Sequence, residues 1–380
     1  MSAFRTSASS KLFGSKGHTS VSRGLAEYHA RRPVLINWVN GVSETLLTLP
    51  VEGLDAQRLG EFLTLCAPAV PELIITAQRA LALGINASTP MALQLSSGAD
   101  ARSILALVGN TGSERVPPAR PAGHFAAAAI QLVKLSQGLP AVLAAKVSPA
   151  DLAACDPRII TVDADAVARF ADEAVKSLTL ASEAPVPLDS GTRTRFVVFR
   201  DALGGSPVAI IVGNPDFSKP VPARLHSACL TGDVFGSRRC DCGDQLKLAL
   251  RRLEDLGGGI IIYLAQEGRG LGLANKMRTY EMQDEGLDTV DANTTLGFDD
   301  DERDYGVAAR MLQMLECPRI VLLTNNPTKL DGLAKAGIEI AGRMSLETPI
   351  NSDNVRYLTA KAARAGHRLD HLMASLADPA

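Results

Sequence analysis

The chain has 380 residues, more than a single hydrophobic core usually supports, which predicts two domains. Its 46% hydrophobic and 21% charged residues are typical of globular proteins, and a net charge of -2 gives no general attraction to nucleic acid or to anionic membranes. No apolar run is as long as the roughly 20 residues that a helix needs to span a bilayer. Residues 1–16 are rich in Ser, Arg and Lys but lack the apolar segment of a secretory signal. We expect a disordered start rather than a mitochondrial transit peptide, and a cytoplasmic protein with no nucleic-acid or membrane partner.

The first half of the chain, up to about residue 180, is rich in Ala and Leu. Its expected elements are a strand at 33–36, a helix at 71–83 opened by proline, a helix at 123–138 and a buried strand at 141–147. Residues 183–191 contain two prolines with Ser, Asp and Gly, as is typical of a linker. We predict that residues 1–185 form an α+β domain.

Strands and helices alternate in the second half. Strands are predicted at 196–199, 208–212, 259–264 and 320–324, with 224–227 following the second of them, and helices at 241–256, 272–283 and 304–315. The polar motifs lie at the ends of these elements, where functional sites are usually found. We predict an α/β or α+β domain at residues 192–360.

Three of the six cysteines fall within fourteen residues: Cys229, Cys240 and Cys242. Three thiolates leave a fourth position open, as a catalytic zinc requires, whereas a structural zinc takes a fourth protein ligand. Inert core cysteines fit poorly with surroundings this rich in turns and charges. A disulfide is a weaker alternative still, because a Cys-x-Cys pair is badly spaced for one. We predict one zinc ion per chain.

Three further motifs are individually weak. Residues 266–276 (QEGRGLGLANK) follow an apolar strand and suit an anion through glycines and helix-start amides, although a plain glycine-rich turn is an equal alternative. Residues 299–305 (DDDERDY) could orient Arg303 for a phosphate, or could only cap the next helix. Residues 324–329 (TNNPTK) suit hydrogen bonds to a heterocycle or phosphate, or a proline-started helix with an Asn cap.

Together with the cysteines, these motifs resemble GTP cyclohydrolase II, the zinc enzyme that commits GTP to riboflavin synthesis. The resemblance covers about residues 192–355 and rests on segments 224–227 (RLHS), 229–233 (CLTGD), 239–243 (RCDCG), 266–270 (QEGRG), 288–289 (DT), 296–298 (LGF), 301–305 (DERDY) and 323–327 (LTNNP). It implies a mixed sheet with helices, a homodimer, and hydrolytic opening of the imidazole ring of GTP with release of formate and diphosphate. Zinc would be held by Cys229, Cys240 and Cys242, and would lower the pKa of a bound water from ~15.7 toward ~7.

The resemblance also implies roles at other matching positions. Asp301 would be the acid/base or orienting carboxylate, Arg303 would engage the α-phosphorus as diphosphate leaves, and Tyr280 would line the pocket. Magnesium would accompany the diphosphate. The residues expected to surround the nucleotide are Arg224, His226, Ser227, Gln245, Glu267, Gly268, Arg269, Thr289, Thr324 and Lys329.

Two departures from the family pattern concern the substrate. Ala228 stands where the family usually has a glutamate, and Arg238 stands where it usually has an apolar residue. Both changes make one side of the pocket more positive and leave the cysteines and Arg303 intact. The leading hypothesis is GTP ring opening. The alternatives are a related hydrolase acting on another nucleotide in pyrimidine (uracil) catabolism, and a non-catalytic nucleotide-binding regulator.

The first half faintly resembles 3,4-dihydroxy-2-butanone 4-phosphate synthase, in residues 25–36 and 122–130. Fused riboflavin enzymes place that synthase before the cyclohydrolase. The acidic metal-binding loop of the synthase is replaced here by residues 37–44 (NWVNGVSE), and Ala127 stands where a glutamate is expected. We therefore expect His124 to be a buried or capping residue, and this domain to lack synthase activity and to support the second domain.

Overall fold

The computed structural model describes residues 14–37, 45–111, 115–148, 156–201, 204–364 and 366–369. The chain divides into two compact units. The first contains Met1–Glu173, Met277–Glu285 and Asp291–Asp299, and the second contains Ala174–Lys276, Gly286–Val290 and Asp300–Ala380. Two short segments from the second half of the sequence thus belong to the first unit. Residues 1–13, most of the start expected to be disordered, and loop residues 38–44 lie outside the described residues.

The first unit is built around one sheet. Its strands are β1 (Val34–Asn37), β2 (Thr45–Pro50), β3 (Glu72–Ile75), β4 (Met91–Leu93), β5 (Ala119–Pro121), β6 (Ala141–Val147) and β7 (Thr161–Asp163). Its helices are α1 (Lys16–His29), α2 (Ala56–Cys66), α3 (Ala77–Ala82), α4 (Ala101–Gly109), α5 (His124–Leu135) and α6 (Ala164–Lys176), the last of which runs on into the second unit. The strand order is β5-β4-β3-β6-β2-β1-β7, with only the β1–β7 pair parallel among the described strands. Leu25, Val133 and Phe170 pack against one face of this sheet and exclude water from it.

Two predictions for the first half are wrong. Residues 71–83 are not one helix but β3 followed by α3, because buried Ile74 and Ile75 complete a strand between β4 and β6. The Thr76 hydroxyl then accepts a hydrogen bond from the Arg79 amide and starts the helix there. His124 is neither buried nor a cap: its side chain is 61% exposed, 3.4 Å from Asp165, at the start of α5.

The second unit contains a second sheet. Its strands are β8 (Thr179–Pro187), β9 (Arg193–Arg200), β10 (Val208–Gly213), β11 (Val221–Ser227), β12 (Gly258–Leu264), β13 (Arg319–Leu323) and β14 (Glu339–Met344). Its helices are α7 (Cys242–Asp255), α10 (Gly306–Met314), α11 (Pro327–Lys335) and α12 (Val355–Arg364), while α8 (Leu273–Asp284) and α9 (Thr289–Thr295) run from this unit into the first. Apolar residues of α7 and α10 cover opposite faces of the sheet. The predicted fold class, mixed sheets with helices, is confirmed.

The second sheet has the order β14-β13-β11-β12-β10-β9-β8. Strands β14, β13, β11 and β12 are parallel to one another, and β10, β9 and β8 continue the sheet in antiparallel pairs. The carboxyl ends of β11, β12 and β13 therefore meet at one edge. The three sequence motifs beginning at residues 229, 266 and 324 follow these ends, as ligand sites of open parallel sheets do.

The predicted linker at residues 183–191 is wrong. Most of this segment belongs to β8, which pairs with β9 from Thr179↔Arg200 to Pro187↔Arg193. Its two prolines are tolerated because β8 is an edge strand. The chain turns only afterwards, at residues 188–192, where Gly191 adopts φ +82°.

Arg79 holds part of the second half of the sequence within the first unit. Its side chain is 2% exposed and donates hydrogen bonds to the carbonyls of Leu107 (2.7 Å), Asn110 (3.0 Å) and Thr295 (2.8 Å). Burial lowers the pKa of this guanidinium to about 10. Gly297 packs closely on the start of helix α3: an added Cβ at this position would lie 2.8 Å from the Thr76 hydroxyl. Residues 291–299 are therefore an integral part of the first unit.

No helix among the described residues is both long enough and apolar enough to cross a membrane.

Candidate active site

The three predicted metal-binding cysteines lie together in the second unit. Cys229 follows β11, Cys240 lies in the turn before α7, and Cys242 is the first residue of α7. Their sulfur atoms are all within 4.8 Å of one another, and the sulfurs of Cys229 and Cys240 are 3.7 Å apart. Cys229 and Cys240 are buried, and Cys242 is half-buried. The structure thus assembles three thiols at one point from residues that are up to thirteen positions apart.

A glycine makes room for this cluster. Gly232 lies in a single π-helical turn (Leu230–Val234) that passes directly over the cysteines. A Cβ at this position would lie 3.0 Å from the sulfur of Cys240 and 3.1 Å from that of Cys229. Gly243 is equally constrained, because its Cβ would lie 2.3 Å from the carbonyl oxygen of Gly232. The turn can approach the sulfurs only because neither residue has a side chain.

The three thiols influence one another electrostatically. Hydrogen bonds from Cys240 and Cys242, helped by the ammonium of Lys276, lower the pKa of Cys229. The interaction with Cys229 in turn raises the pKa values of Cys240 and Cys242. The first proton therefore leaves Cys229 readily, while a cation is needed to stabilise three thiolates side by side.

Asp233 organises the loop that carries Cys229. Its carboxylate accepts hydrogen bonds from the Cys229 amide (3.0 Å), the Tyr263 hydroxyl (2.9 Å) and Nε2 of His226 (3.0 Å). The His226 ring stacks on Tyr263 with centroids 5.5 Å apart. Burial lowers the pKa of His226, so its ring is neutral near pH 7, with Nε2–H donating to Asp233 and Nδ1 left as an acceptor.

Two buried cationic side chains join β11 to its neighbours at the site, Arg224 to strand β13 and Lys329 to helix α11. Arg224, 5% exposed, donates to the Leu323 carbonyl (2.9 Å) and to the side chain of Gln245. Lys329, 6% exposed, donates to the Leu225 carbonyl (2.8 Å). Burial lowers the pKa of Arg224 to about 10, so it stays charged at neutral pH.

Several buried polar atoms at this edge have no protein partner. In the part of the chain that the structure describes, six buried side-chain nitrogen or oxygen atoms lack a hydrogen bond, and four of them belong to residues close to the cysteines. These four are Arg224 Nε, His226 Nδ1, Ser227 Oγ and Gln266 Oε1. Because proteins rarely leave buried polar groups unpaired, such a cluster indicates a site for a polar ligand.

The glycine-rich segment after β12 forms a strained turn (Glu267–Gly270). Gly268 and Arg269 both have positive φ, 61° and 62°, a conformation that is costly for arginine. Arg269 is held by hydrogen bonds to Asp300, and its carbonyl accepts the Glu302 amide (3.1 Å). The turn is therefore fastened to the acidic segment by hydrogen bonds at Arg269.

The acidic segment orients Arg303. The Asp301 carboxylate accepts hydrogen bonds from Nε (2.7 Å), Nη2 and the backbone amide of Arg303. Burial opposes ionisation of Asp301, but the hydrogen bonds and charge of Arg303 outweigh it and lower the pKa of the carboxyl group. The capping alternative accounts only for Asp304, which accepts the Gly306 amide (2.7 Å).

The segment after β13 forms the proline-started helix with an Asn cap, one of its two predicted alternatives. Asn326 caps α11 by accepting the Thr328 amide, and Pro327 starts that helix. Thr324, 1% exposed, accepts the Asn326 amide (3.0 Å), and Lys329 points back to β11. Local capping here positions the lysine.

Tyr280 and Thr289 lie apart in sequence from these segments. Tyr280 is half-buried in the part of α8 that belongs to the first unit, and Thr289 begins α9. The neighbouring Asp288 accepts hydrogen bonds from the Val290 amide and from Arg364, each 2.8 Å.

Sequence analysis gave no role at the metal site to Asp233, Tyr263 or Lys276, although Asp233 and Lys276 lie within the motifs at 229–233 and 266–276. Lys276 is 8% exposed, and its ammonium lies 3.0 Å from the sulfur of Cys229. The available signal was the position of Lys276 in the first turn of the helix predicted at 272–283, directly after the glycines of the motif. Asp233 and Tyr263 gave no signal of this kind, because only the fold brings them together.

Comparison of the sequence with known proteins points to one family. The GTP cyclohydrolase II family profile matches residues 179–345. A protein named GTP cyclohydrolase-2 from Xylella fastidiosa is 38% identical over 365 residues, covering 94% of this chain and 89% of that protein. One of the same name from Azospirillum brasilense is 38% identical over 364 residues, covering 92% and 93%. The riboflavin biosynthesis protein RibBA of Bacillus mycoides is 40% identical over 263 residues, 66% of each chain. With two relatives aligned along nearly its whole length, the chain belongs to the GTP cyclohydrolase II family.

Proposed function

We propose that this chain is a zinc-dependent hydrolase that opens the imidazole ring of GTP and releases formate and diphosphate, a reaction of riboflavin biosynthesis. The observation that carries the proposal is the cluster of unpaired buried polar atoms beside three cysteines and an oriented arginine. The names of the aligned relatives support the substrate. We further propose that the enzyme is a homodimer and uses magnesium to bind the diphosphate.

The cysteine cluster fits zinc. Tetrahedral coordination with Zn–S bonds of about 2.3 Å places sulfur atoms about 3.8 Å apart. The Cys229–Cys240 distance is 3.7 Å, and all three sulfurs lie within 4.8 Å of one another. When bound, zinc with one open position lowers the pKa of water and so supplies the nucleophile for ring hydrolysis.

The chain's own residues bind and orient the nucleotide. Arg224 Nε can donate to it, while Nδ1 of neutral His226 and Oε1 of Gln266 can accept from guanine N–H groups. Among the other residues of the proposed pocket, Ser227 also has an unpaired atom, whereas the side chains of Gln245, Glu267, Arg269 and Lys329 already have protein partners. The residues with unpaired atoms would contact the ligand, and those that already have protein partners would shape the pocket.

Arg303 would act at the triphosphate. Asp301 holds the guanidinium by two side-chain bonds and one backbone bond, so its direction is set before the nucleotide binds. A preoriented cation stabilises charge that develops on departing diphosphate without reorganisation at the moment of reaction. Asp301 remains ionised because Arg303 lowers the pKa of its carboxyl group, which favours an orienting role for this residue.

The test is incubation of the purified protein with GTP and Mg²⁺, with formate measured as product and zinc measured per chain. The expected result is one zinc per chain and stoichiometric formate. The matched control is Cys240→Ser, which keeps the size of the side chain and should lose both zinc and formate release. Formate release that survives in zinc-free Cys240→Ser would contradict the proposed chemistry.

A second candidate is ring opening of another nucleotide, in pyrimidine catabolism. The observation that favours it is Ala228, whose backbone amide donates a hydrogen bond to the Leu264 carbonyl (2.8 Å). Its methyl group offers no hydrogen-bond acceptor near the unpaired polar atoms of Ser227 and Gln266. Parallel incubations with GTP and with uridine nucleotides separate the two candidates. Consumption of the pyrimidine nucleotide without formate from GTP would favour the second.

We also propose that residues 1–185 form a synthase-like domain without synthase activity and that residues 192–360 form the hydrolase domain. An exposed His124 at the start of α5, with Ala127 three residues later, supports the loss of activity, since an alanine at position 127 cannot act as a base.

A further inference from the structure

Lys276 places a buried positive charge on one of the three cysteines. It lies in the first turn of α8 and is 8% exposed. Its ammonium is 3.0 Å from the sulfur of Cys229, 3.0 Å from the Thr231 hydroxyl and 2.9 Å from Oε1 of Glu267. An ammonium group has three donors, and three acceptors surround it here at hydrogen-bond distance. The side chain is therefore held in one position.

Glu267 keeps this ammonium in place. Its Oε1 pairs with Lys276, and its Oε2 accepts the Leu230 amide (2.6 Å), which directly follows Cys229. The strained turn packs on the lysine as well, because a Cβ at Gly268 would lie 3.0 Å from Cβ of Lys276. The glycine-rich motif and the metal-binding loop are thus joined through one ion pair. Both carboxylate oxygens of Glu267 are engaged by the protein.

We propose that Lys276 is a positioning residue of the metal centre, which fixes the Cys229 thiolate and draws negative charge from it. This inference rests on the proposed function in one respect, that the three cysteines hold zinc. Three thiolates carry one more charge than a zinc ion balances, and their donation weakens the metal as a Lewis acid. A charge-assisted hydrogen bond from an ammonium to one thiolate offsets this donation. Lys276 therefore makes the metal more acidic without touching it.

The alternative is that Lys276 only stabilises the fold through its pair with Glu267. The electronic state of the sulfur distinguishes the two. A hydrogen bond to a thiolate lowers the energy of its lone pairs, so the sulfur-to-metal charge-transfer band of a cobalt-substituted site moves to shorter wavelength. A purely structural lysine would leave the band of a folded, metal-loaded variant where it was.

The experiment compares the full-length protein with Lys276→Met after zinc is replaced by Co²⁺. We expect the charge-transfer band of Lys276→Met to move to longer wavelength. Chelator competition should show metal affinity about 10–100-fold weaker, the usual effect of removing an outer partner of a metal ligand. The control is Lys247→Met, the same substitution at an exposed position of α7, which should leave both the band and the affinity unchanged.

A metal-loaded Lys276→Met protein with an unshifted band would overturn the role of Lys276 while leaving the proposed function intact. A parent protein that binds no metal would overturn both. If Lys276→Met does not retain cobalt, Lys276→Gln replaces it, since its amide keeps a neutral donor. That variant should show a smaller shift in the same direction, and an unshifted band in it would equally overturn the proposal.

Discussion

Replacing Gly232 with alanine tests whether the cysteine cluster can accommodate one additional methyl group. The added Cβ would lie 3.0 Å from the Cys240 sulfur, 3.1 Å from the Cys229 sulfur and 3.1 Å from Cβ of Cys242. Ordinary non-bonded contacts are about 3.5–4.0 Å, so these atoms must separate by about 0.4 Å or more. Metal–ligand distances tolerate only about 0.2 Å. The methyl group should therefore disturb the metal site before it disturbs the rest of the fold.

The magnitude follows from the cost of overpacking, about 1–3 kcal/mol. If that cost falls on metal binding, zinc affinity weakens about 5- to 150-fold, since about 1.4 kcal/mol corresponds to a factor of ten. Formate release from GTP should decline in parallel at limiting zinc and recover in part when zinc is added. The unfolding temperature of the metal-free protein should change little by comparison.

Chelator competition with a zinc-binding dye measures the affinity directly. Gly60→Ala is the matched control: Gly60 lies in helix α2 with nothing within 4 Å of an added Cβ, so this variant should bind zinc as the parent does. Unchanged zinc affinity in Gly232→Ala would refute the reasoning, because it would show that the π-helical turn moves away from the sulfurs at no cost.

Three further predictions concern the reaction. Arg303→Ala should lower kcat about 10²–10³-fold, as expected for losing about 3–4 kcal/mol of transition-state stabilisation, with a much smaller change in KM; a kcat within a few-fold of the parent would assign Arg303 a structural role. Ala228→Glu should raise kcat/KM for GTP, because a lost polar partner in a closed site typically costs about 1–3 kcal/mol; no formate from GTP with either residue, together with consumption of a pyrimidine nucleotide, would contradict the GTP assignment. The protein should form no dihydroxybutanone phosphate from ribulose 5-phosphate, and a positive synthase assay would show that Ala127 and the altered loop do not abolish that chemistry.

Local patterns predicted most of the second sheet. Strands at 208–212 and 259–264 and helices at 241–256 and 272–283 were found within one or two residues of their observed bounds, because apolar periodicity and glycine boundaries agree there. The strand at residues 72–75 was missed for the opposite reason. Its four residues extend without a break into a helical pattern, and only burial between β4 and β6 makes them a strand.

The candidate site divides in the same way. Cys229, Cys240 and Cys242 could be grouped from their spacing alone, and the structure confirms that they converge. The hydrogen-bonded group of His226, Asp233 and Tyr263 could not, because Tyr263 lies thirty residues away on a neighbouring strand and meets Asp233 only through the parallel pairing of β11 with β12. Nor could the sequence show that Glu267 would face Lys276 rather than the ligand.

The hydrogen bond from Arg79 to Thr295 limits how far the chain can be truncated from its N-terminal side. A chain that began near residue 174 would keep Cys229, Cys240, Cys242 and Arg303, and would seem to retain the whole catalytic half. It would lose the surroundings in which Leu296 and Phe298, each 1% exposed, are buried, and would leave the Thr295 carbonyl without its guanidinium partner. Exposed apolar side chains on such a fragment favour aggregation. A fragment that keeps the residues of the candidate site can therefore still lack the packing that part of its own sequence requires.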